Sequence, residues 1–422
     1  MKKSIKILVY LVPVFVLIFT FDFVKTIHAL TTNQLALSSS GSLSGLGTGS
    51  LQMTPNGRYI AYDSSASYIV SGDSNAATDV FVRDTLNGAS VRVSVDSGGS
   101  QANGDSNFSY ITNNGRYVLF RSTATNLATI TGINPTYYTA GIYMRDTVAG
   151  TTQLIKAGYS DISGFDDYVI HSSSEDARFI YYTKLSQSDH RRAYMLDTLL
   201  SSTTEISTAA DGVTSGTGTN QDIKNSCDGR FAVFQSNASN LVPSDTNSVH
   251  DIFLVDNMNG HTIRNLTING NNTSSDPSMA CDGNNVYFMS DSSNLVSGDT
   301  NSATDAFSYN IPTDTIERVS LGTSSAQLSG GAYNYKASAD GSYIAFGAYD
   351  SVTGRDQVYM HNRLTDTTIL VSQDGSSNAA NGDSVLKGMT YDGKGVVYHS
   401  RASNLGVSNP GNTNNYMYLS DI

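Results

Sequence analysis

The chain has 422 residues, 39% hydrophobic and only 15% charged, with 37 glycines. That length allows one large repeat domain or roughly two or three ordinary ones. Abundant Gly, Ser, Thr, Asn and Asp beside scarce Lys and Glu exclude a helix-rich fold and point to short strands joined by turns. A formal net charge of −12 argues against nucleic acid or an anionic membrane surface as partner.

At the N-terminus, Lys2, Lys3 and Lys6 precede an apolar run from Ile7 to Phe19, and Ile27-His28-Ala29 offers a cleavage site. Residues 1–29 read as a signal peptide. The alternative is an uncleaved anchor over Ile7 to Val24, though Thr20 and Asp22 interrupt the end of that span. Either way, residues 30–422 read as a single exported domain without a second long apolar run, placed in the periplasm, at the cell surface or outside the cell.

A turn followed by an aromatic-aliphatic strand then recurs: PNGRYIAY from Pro55, NNGRYVLF from Asn113, EDARFIYY from Glu175, CDGRFAVF from Cys227, CDGNNVYF from Cys281, ADGSYIAF from Ala339 and YDGKGVVY from Tyr391. The copies lie 52 to 62 residues apart, a spacing suited to a four-stranded blade with one long loop. In the first copy the strands are expected near Ser50–Thr54, Arg58–Tyr62, Asp79–Arg83 and Val91–Val95. Asn-Gly and Asp-Gly supply the positive φ of tight hairpins. Runs such as YIAY are apolar on both faces, as stacking between blades requires. The seventh copy lacks an outer strand, and Gln34–Ser38 resembles one. The reading is therefore all-β: a seven-bladed β-propeller of four-stranded antiparallel blades, its ring closed by an N-terminal strand completing the last blade. Six blades plus an irregular cap is the alternative.

The segments RYIAY, ASNLV (Ala238–Val242), SGDTN (Ser297–Asn301), DVFVRD (Asp79–Asp84), VRVSV and ERVSL together resemble the TolB-type, WD40-like β-propeller repeats of exported bacterial proteins. The resemblance covers roughly residues 33–422 and implies the propeller fold; it is poor for function, because propellers host unrelated activities. The family's namesake carries an additional N-terminal α/β domain, for which this chain has no room, so its Tol–Pal partnership does not transfer.

Up-and-down blades place the loop between second and third strands on one face with the blade-to-blade loops, and the Asp-Gly turns on the other. The loop face carries Asp73, Asn75 and Asp79, repeated as Asp245, Asn247, Asp251 and as Asp299, Asn301, Asp305. Three oxygen-bearing side chains at this spacing could serve calcium, which takes six to eight oxygens. Turn chemistry competes: Asp and Asn bond their own backbone in such loops, and Ala77, Val249 and Ala303 leave the set incomplete. The sixth repeat keeps Asp350 and Asp356 around Val352. Calcium is the single cofactor considered.

Cys227 and Cys281 hold the same place in adjacent repeats. A bridge needs Cα atoms within ~7 Å, which inner-strand ends near the axis can provide, so a disulfide competes with two free thiols. His171, His190, His250, His261, His361 and His399 form no HExxH or paired motif. No G-x-S-x-G elbow occurs. The sequence thus reads as a non-enzymatic, monomeric binding or scaffold module of the cell envelope, recognising a protein or glycan through loops on one face. A lyase or hydrolase with a site at the channel mouth is one alternative, and a calcium-stabilised structural surface protein another.

Overall fold

A computed structural model describes residues 27–30, 51–130, 138–161, 164–165, 167–185, 191–406 and 416–422. They form seven antiparallel sheets in chain order around one axis, a seven-bladed β-propeller. Each blade runs from an inner to an outer strand. The first comprises Leu51–Met53, Tyr59–Ser64, Asp79–Asp84 and Ala89–Arg92. The second gains a short fifth strand, Gly164–Phe165, beyond a long outer strand at Thr151–Asp161. Among the described residues no helix is long and apolar enough to cross a membrane.

The outer strand of the first blade ends earlier than expected. Val93 and Val95 are buried, and the Ser94 hydroxyl donates to Asp79 at 2.6 Å. The pull of these groups into the blade bends the chain inward after Arg92. The ring closes through Ile27–Leu30, which pairs antiparallel with Tyr416–Asp421. An N-terminal strand thus completes the last blade; Gln34–Ser38 lies outside the described residues. The pairing also means that cleavage after Ala29 would remove three of the four closing residues.

Each blade is built on an aromatic pair between its second and third strands. Tyr62–Phe81, Phe120–Tyr143, Phe234–Phe253, Phe288–Phe307, Phe346–Tyr359 and Tyr398–Tyr418 stack with centroids 5.5 to 5.8 Å apart. Tyr182–Tyr194 does so in the third blade. Burying such rings dominates the energy of each blade. The turns explain why the Asn/Asp-Gly signature repeats. In six blades the preceding Thr or Ser donates to the Asn or Asp side chain, as Ser226 does to Asp228 at 2.6 Å. The following Arg reaches the carboxylate of the next turn on the same face: Arg58–Asp84, Arg116–Asp146, Arg178–Asp197 and Arg230–Asp256.

The turn glycines also join one blade to the next. Gly229 has φ +72°, and a Cβ there would lie 2.5 Å from the Phe179 ring of the preceding blade. Positive φ and close approach both demand glycine. Gly229→Val should therefore destabilise the fold by about 1–3 kcal/mol through overpacking and backbone strain. Thermal or urea melting checks this, with Gly212→Val as a control: φ there is also positive, +69°, but nothing lies within 4 Å of the added Cβ.

Candidate functional site

The residue before each Asn/Asp-Gly or equivalent turn ends an inner strand beside the axis. There the backbone links blade to blade. Glu175 N donates to Cys227 O, Cys227 N to Cys281 O, Cys281 N to Ala339 O, Ala339 N to Tyr391 O and Tyr391 N to Pro55 O, at 2.7 to 3.2 Å. Pro55 has no N–H to continue the series. The Asn114 side-chain amide instead reaches Glu175 O at 3.2 Å. Cys227 and Cys281 are joined as a disulfide on this ring, their Cα atoms 4.7 Å apart. Asn113 Nδ2 and Tyr391 Oη each approach one of its sulfurs at 3.5 Å from across the ring. The Glu175 carboxylate also lies within 4.8 Å of both sulfurs, but a disulfide leaves no thiolate to bind metal. These contacts narrow the channel at the turn face.

Above this ring lies a cavity of about 430 Å³, walled by the inner strands of blades four to six. Its wall includes Asp222, Lys224, Asp276, Tyr333, Asn334, Tyr335 and Lys336. Bulges in these strands place Asp222 and Asp276 in left-handed backbone, φ 54° and 52°. A bulge re-aims a side chain, and this strain marks positions worth testing for function. Tyr335 Oη is held by Asp276 O at 2.6 Å and Ser278 Oγ at 3.0 Å. Lys224 touches water in the channel but is ringed by protein; that desolvation lowers its pKa, Lys336 adding to the effect and Asp222 opposing it. His171, on the third inner strand, bonds Thr183 Oγ1 at 3.0 Å. Burial first, then Lys224 and Arg191, pull its pKa down to about 3. Composition and turn signals do not reveal this wall, because its members occupy different repeats and become neighbours through ring geometry.

The long-loop face is cross-braced. In four blades the asparagine of the SNL or equivalent TNL motif accepts from the backbone of the incoming blade-to-blade loop, as Asn126, Asn240, Asn294 and Asn404 do at 2.9 to 3.0 Å. The Asp/Asn loops lie on this face too. In the first blade Asn75 Oδ1 accepts from Ala77 N, making a turn with Ala76 at φ 53°. Its Nδ2 donates to Asp79 at 3.1 Å and to Ala102 O at 2.9 Å. Arg92 then lies 3.2 Å from Asp73 and 3.0 Å from Asp79. The fifth blade repeats this with Asn301 and with Arg318 at 3.5 Å from Asp299 and 3.7 Å from Asp305. In these two blades a guanidinium sits among the carboxylates considered for calcium. The fourth blade brings Asp245, Asn247 and Asp251 together without an arginine: Asn247 makes the same turn, and Thr267 Oγ1 donates to Asp251 at 2.5 Å. In the sixth blade the position of Asp79 is taken by Gln357 rather than Asp356, since Ser372 donates to it as Ser94 does to Asp79.

The described histidines are dispersed. His171 lines the channel, His250 opens the third strand of blade four, His261 occupies a turn, His361 is buried against Thr368, and His399 lies in blade seven. His190 lies outside the described residues.

No protein-family model matches this chain, and no curated protein matches it in sequence. Among solved structures it is similar to Porphyromonas gingivalis dipeptidyl peptidase 4, at 13% identity and TM-score 0.53, over 85% of this chain and 50% of that one. It is also similar to TolB from Acinetobacter baumannii, at 13% identity and TM-score 0.36 over 88% and 78% of the two chains. An oligogalacturonate lyase in complex with manganese matches at 10% identity and TM-score 0.47, over 88% and 87%. The likeness to the peptidase, of which this chain spans about half, shows the propeller fold alone.

Two outcomes follow from this geometry. Replacing both cysteines, Cys227→Ser with Cys281→Ser, should cost about 4 kcal/mol in the chain-entropy account of a loop this long, read by urea melting of oxidised wild type against the double variant. Intact mass under non-reducing conditions should show the wild type two protons lighter than its reduced form. Separately, the folded pKa of His171 lies below its unfolded value, so stability is full above about pH 6.5 and is lost as pH falls toward 3. His171→Asn should flatten that part of the stability–pH curve, and imidazole NMR shifts should show the ring still neutral at pH 4.5.

Proposed function

We propose that this chain is an exported, non-enzymatic binding or scaffold propeller of the cell envelope, recognising a protein or glycan through its long-loop face. One observation carries the reading: the channel narrows at the turn face and holds a polar, tyrosine-bearing cavity among the inner strands of blades four to six. Lysines, aspartates and an asparagine offer donors and acceptors, and Tyr333 adds an exposed ring. That mixture suits a hydroxyl-rich sugar or a polar peptide segment. The asparagine braces give the rim a preformed shape, which lowers the ordering cost of binding. A disulfide fits an oxidising compartment, and the blades leave only short outer-strand edges for a second copy, in keeping with a monomer.

A lyase-type enzyme is the second reading, favoured by the lowered pKa of Lys224 inside the cavity.

The test immobilises the exported protein and presents a glycan array and solubilised cell envelope to wild type and to the Lys224→Ala/Lys336→Ala variant. The expected result is a ligand retained intact by wild type and lost from the variant, with unchanged circular dichroism. Retention by both would place recognition away from the cavity, and retention by neither would overturn the binding reading. A ligand that wild type cleaves and the variant does not would establish the enzyme.

A further inference from the structure

One position in the blade behaves as a charge-balanced slot. It lies where the third strand begins and the outer strand ends, beneath the long loop. In blades one and five it holds Asp79 with Arg92 and Asp305 with Arg318. The third blade reverses the pair: Arg192 takes the aspartate's place and Glu205 the arginine's, 3.9 Å apart. The register is secure, because Ser207 Oγ accepts from Ala193 N as Ser94 Oγ does from Val80 N. The sixth blade is neutral at both places, Gln357 with Leu370. A buried charge is costly unless it is paired, so this pattern is what desolvation demands.

The fourth blade breaks it. Asp251 is 0% and Asp245 6% exposed, and Asn265 stands at the arginine's place. No cationic side chain pairs with either carboxylate among the described residues. Asp251 Oδ1 accepts from Thr267, but Oδ2 is buried with no partner. The equivalent Oδ2 atoms of Asp79 and Asp305 are those facing the guanidinium, so the orphaned oxygen looks into the same slot. Asn265 Nδ2 offers only a long contact of 3.5 Å to Asp245. Burial raises the pKa of both carboxylates and Asp245 adds to the rise at Asp251, while Thr267, Asn265 and Asn247 oppose it there without supplying a charge.

We propose that the fourth blade binds one hard divalent cation, of which calcium is the type, in the slot between Asp245 and Asp251 that an arginine fills in blades one and five. The protein donors are the oxygens of the two carboxylates. An all-oxygen set with two charges suits calcium rather than a softer metal. Waters complete the coordination. The ion ties the long loop to the third strand, as Arg92 ties them in blade one. The proposal is independent of what the loop face recognises.

The experiment titrates calcium, and separately magnesium, into the metal-stripped whole protein by calorimetry and follows the melting temperature. Wild type should bind one calcium per chain and melt higher with it. Asn265→Arg supplies the missing guanidinium: it should abolish calcium binding and melt above the metal-free wild type. Asp251→Asn removes one charge and the orphaned acceptor, and should also lose calcium binding while the metal-free form remains folded. No heat and no melting shift at millimolar calcium or magnesium would overturn the proposal, leaving a protonated Asp251 as the balancing device. Retention of one calcium by Asn265→Arg would overturn it equally, because the ion would then lie elsewhere.

Discussion

The structure depends on a ring of backbone hydrogen bonds around the propeller axis. Five junctions use a main-chain N–H and carbonyl from residues immediately preceding the turns. This fixes how near the inner strands come, and therefore how much room remains above them. Backbone contact between neighbouring blades, with side chains reaching across the ring, narrows the channel at that end. The ring also explains a proline and an asparagine. Pro55 can accept but not donate, which ends the series, and Asn114 serves the next free carbonyl with its side chain. The disulfide adds a covalent link at one junction, where the same closeness that permits N–H···O bonds brings two Cα atoms within bridging range.

The repeated sequence signature can be divided between packing and bracing. In VFV and YIAY, the aromatic pair and its aliphatic neighbours fill each blade. The Asp-Gly segment makes a self-bonded turn whose glycine accepts the ring of the adjacent blade. The asparagine of SNL pins a neighbouring loop, and the asparagine of the GDSN or GDTN segment folds its own loop while reaching the outer part of the blade. Little of what recurs therefore faces outward for a ligand. Residues that differ between blades, such as Lys224, Tyr333 and Lys336, form the channel wall. Recurrence here marks the scaffold, and variation marks where specificity can reside.

Much of the fold was legible because its signals are local. A glycine with positive φ after Asp or Asn, followed by a two-sided apolar strand, reports a hairpin inside a stacked blade without knowledge of distant residues. The seven copies then supply the architecture. The closing strand was less legible: Ile27–Leu30 carries no turn signal and follows an apolar run, while Gln34–Ser38 resembles an outer strand more closely. The inward bend after Arg92 was hidden as well, since VRVSV alternates like a longer strand until Ser94 is seen bonding Asp79. That bend matters for the site, because it delivers Arg92 to the loop. Reading Asp73, Asn75 and Asp79 alone, one counts oxygen donors. A counter-ion from thirteen residues further on becomes visible only once the strand register is known.

The same register turns the blades into controls for one another. A single acidic loop gives no reason to prefer a metal over a turn. Blades one and five show that two buried carboxylates in this loop coexist with a cation, and blade three shows that the charges can exchange places while balance persists. Blade six shows a third solution, the removal of both charges. These are different side chains meeting one electrostatic requirement, which points to the low-dielectric slot as the constraint rather than to any preferred residue. Where the requirement is unmet by the protein, in blade four, the balance must come from a proton or from solution. A proton on Asp251 would remove one of the two charges and leave the neighbouring Asp245 ionised in the slot. An ion needs only oxygen donors, and the slot supplies those.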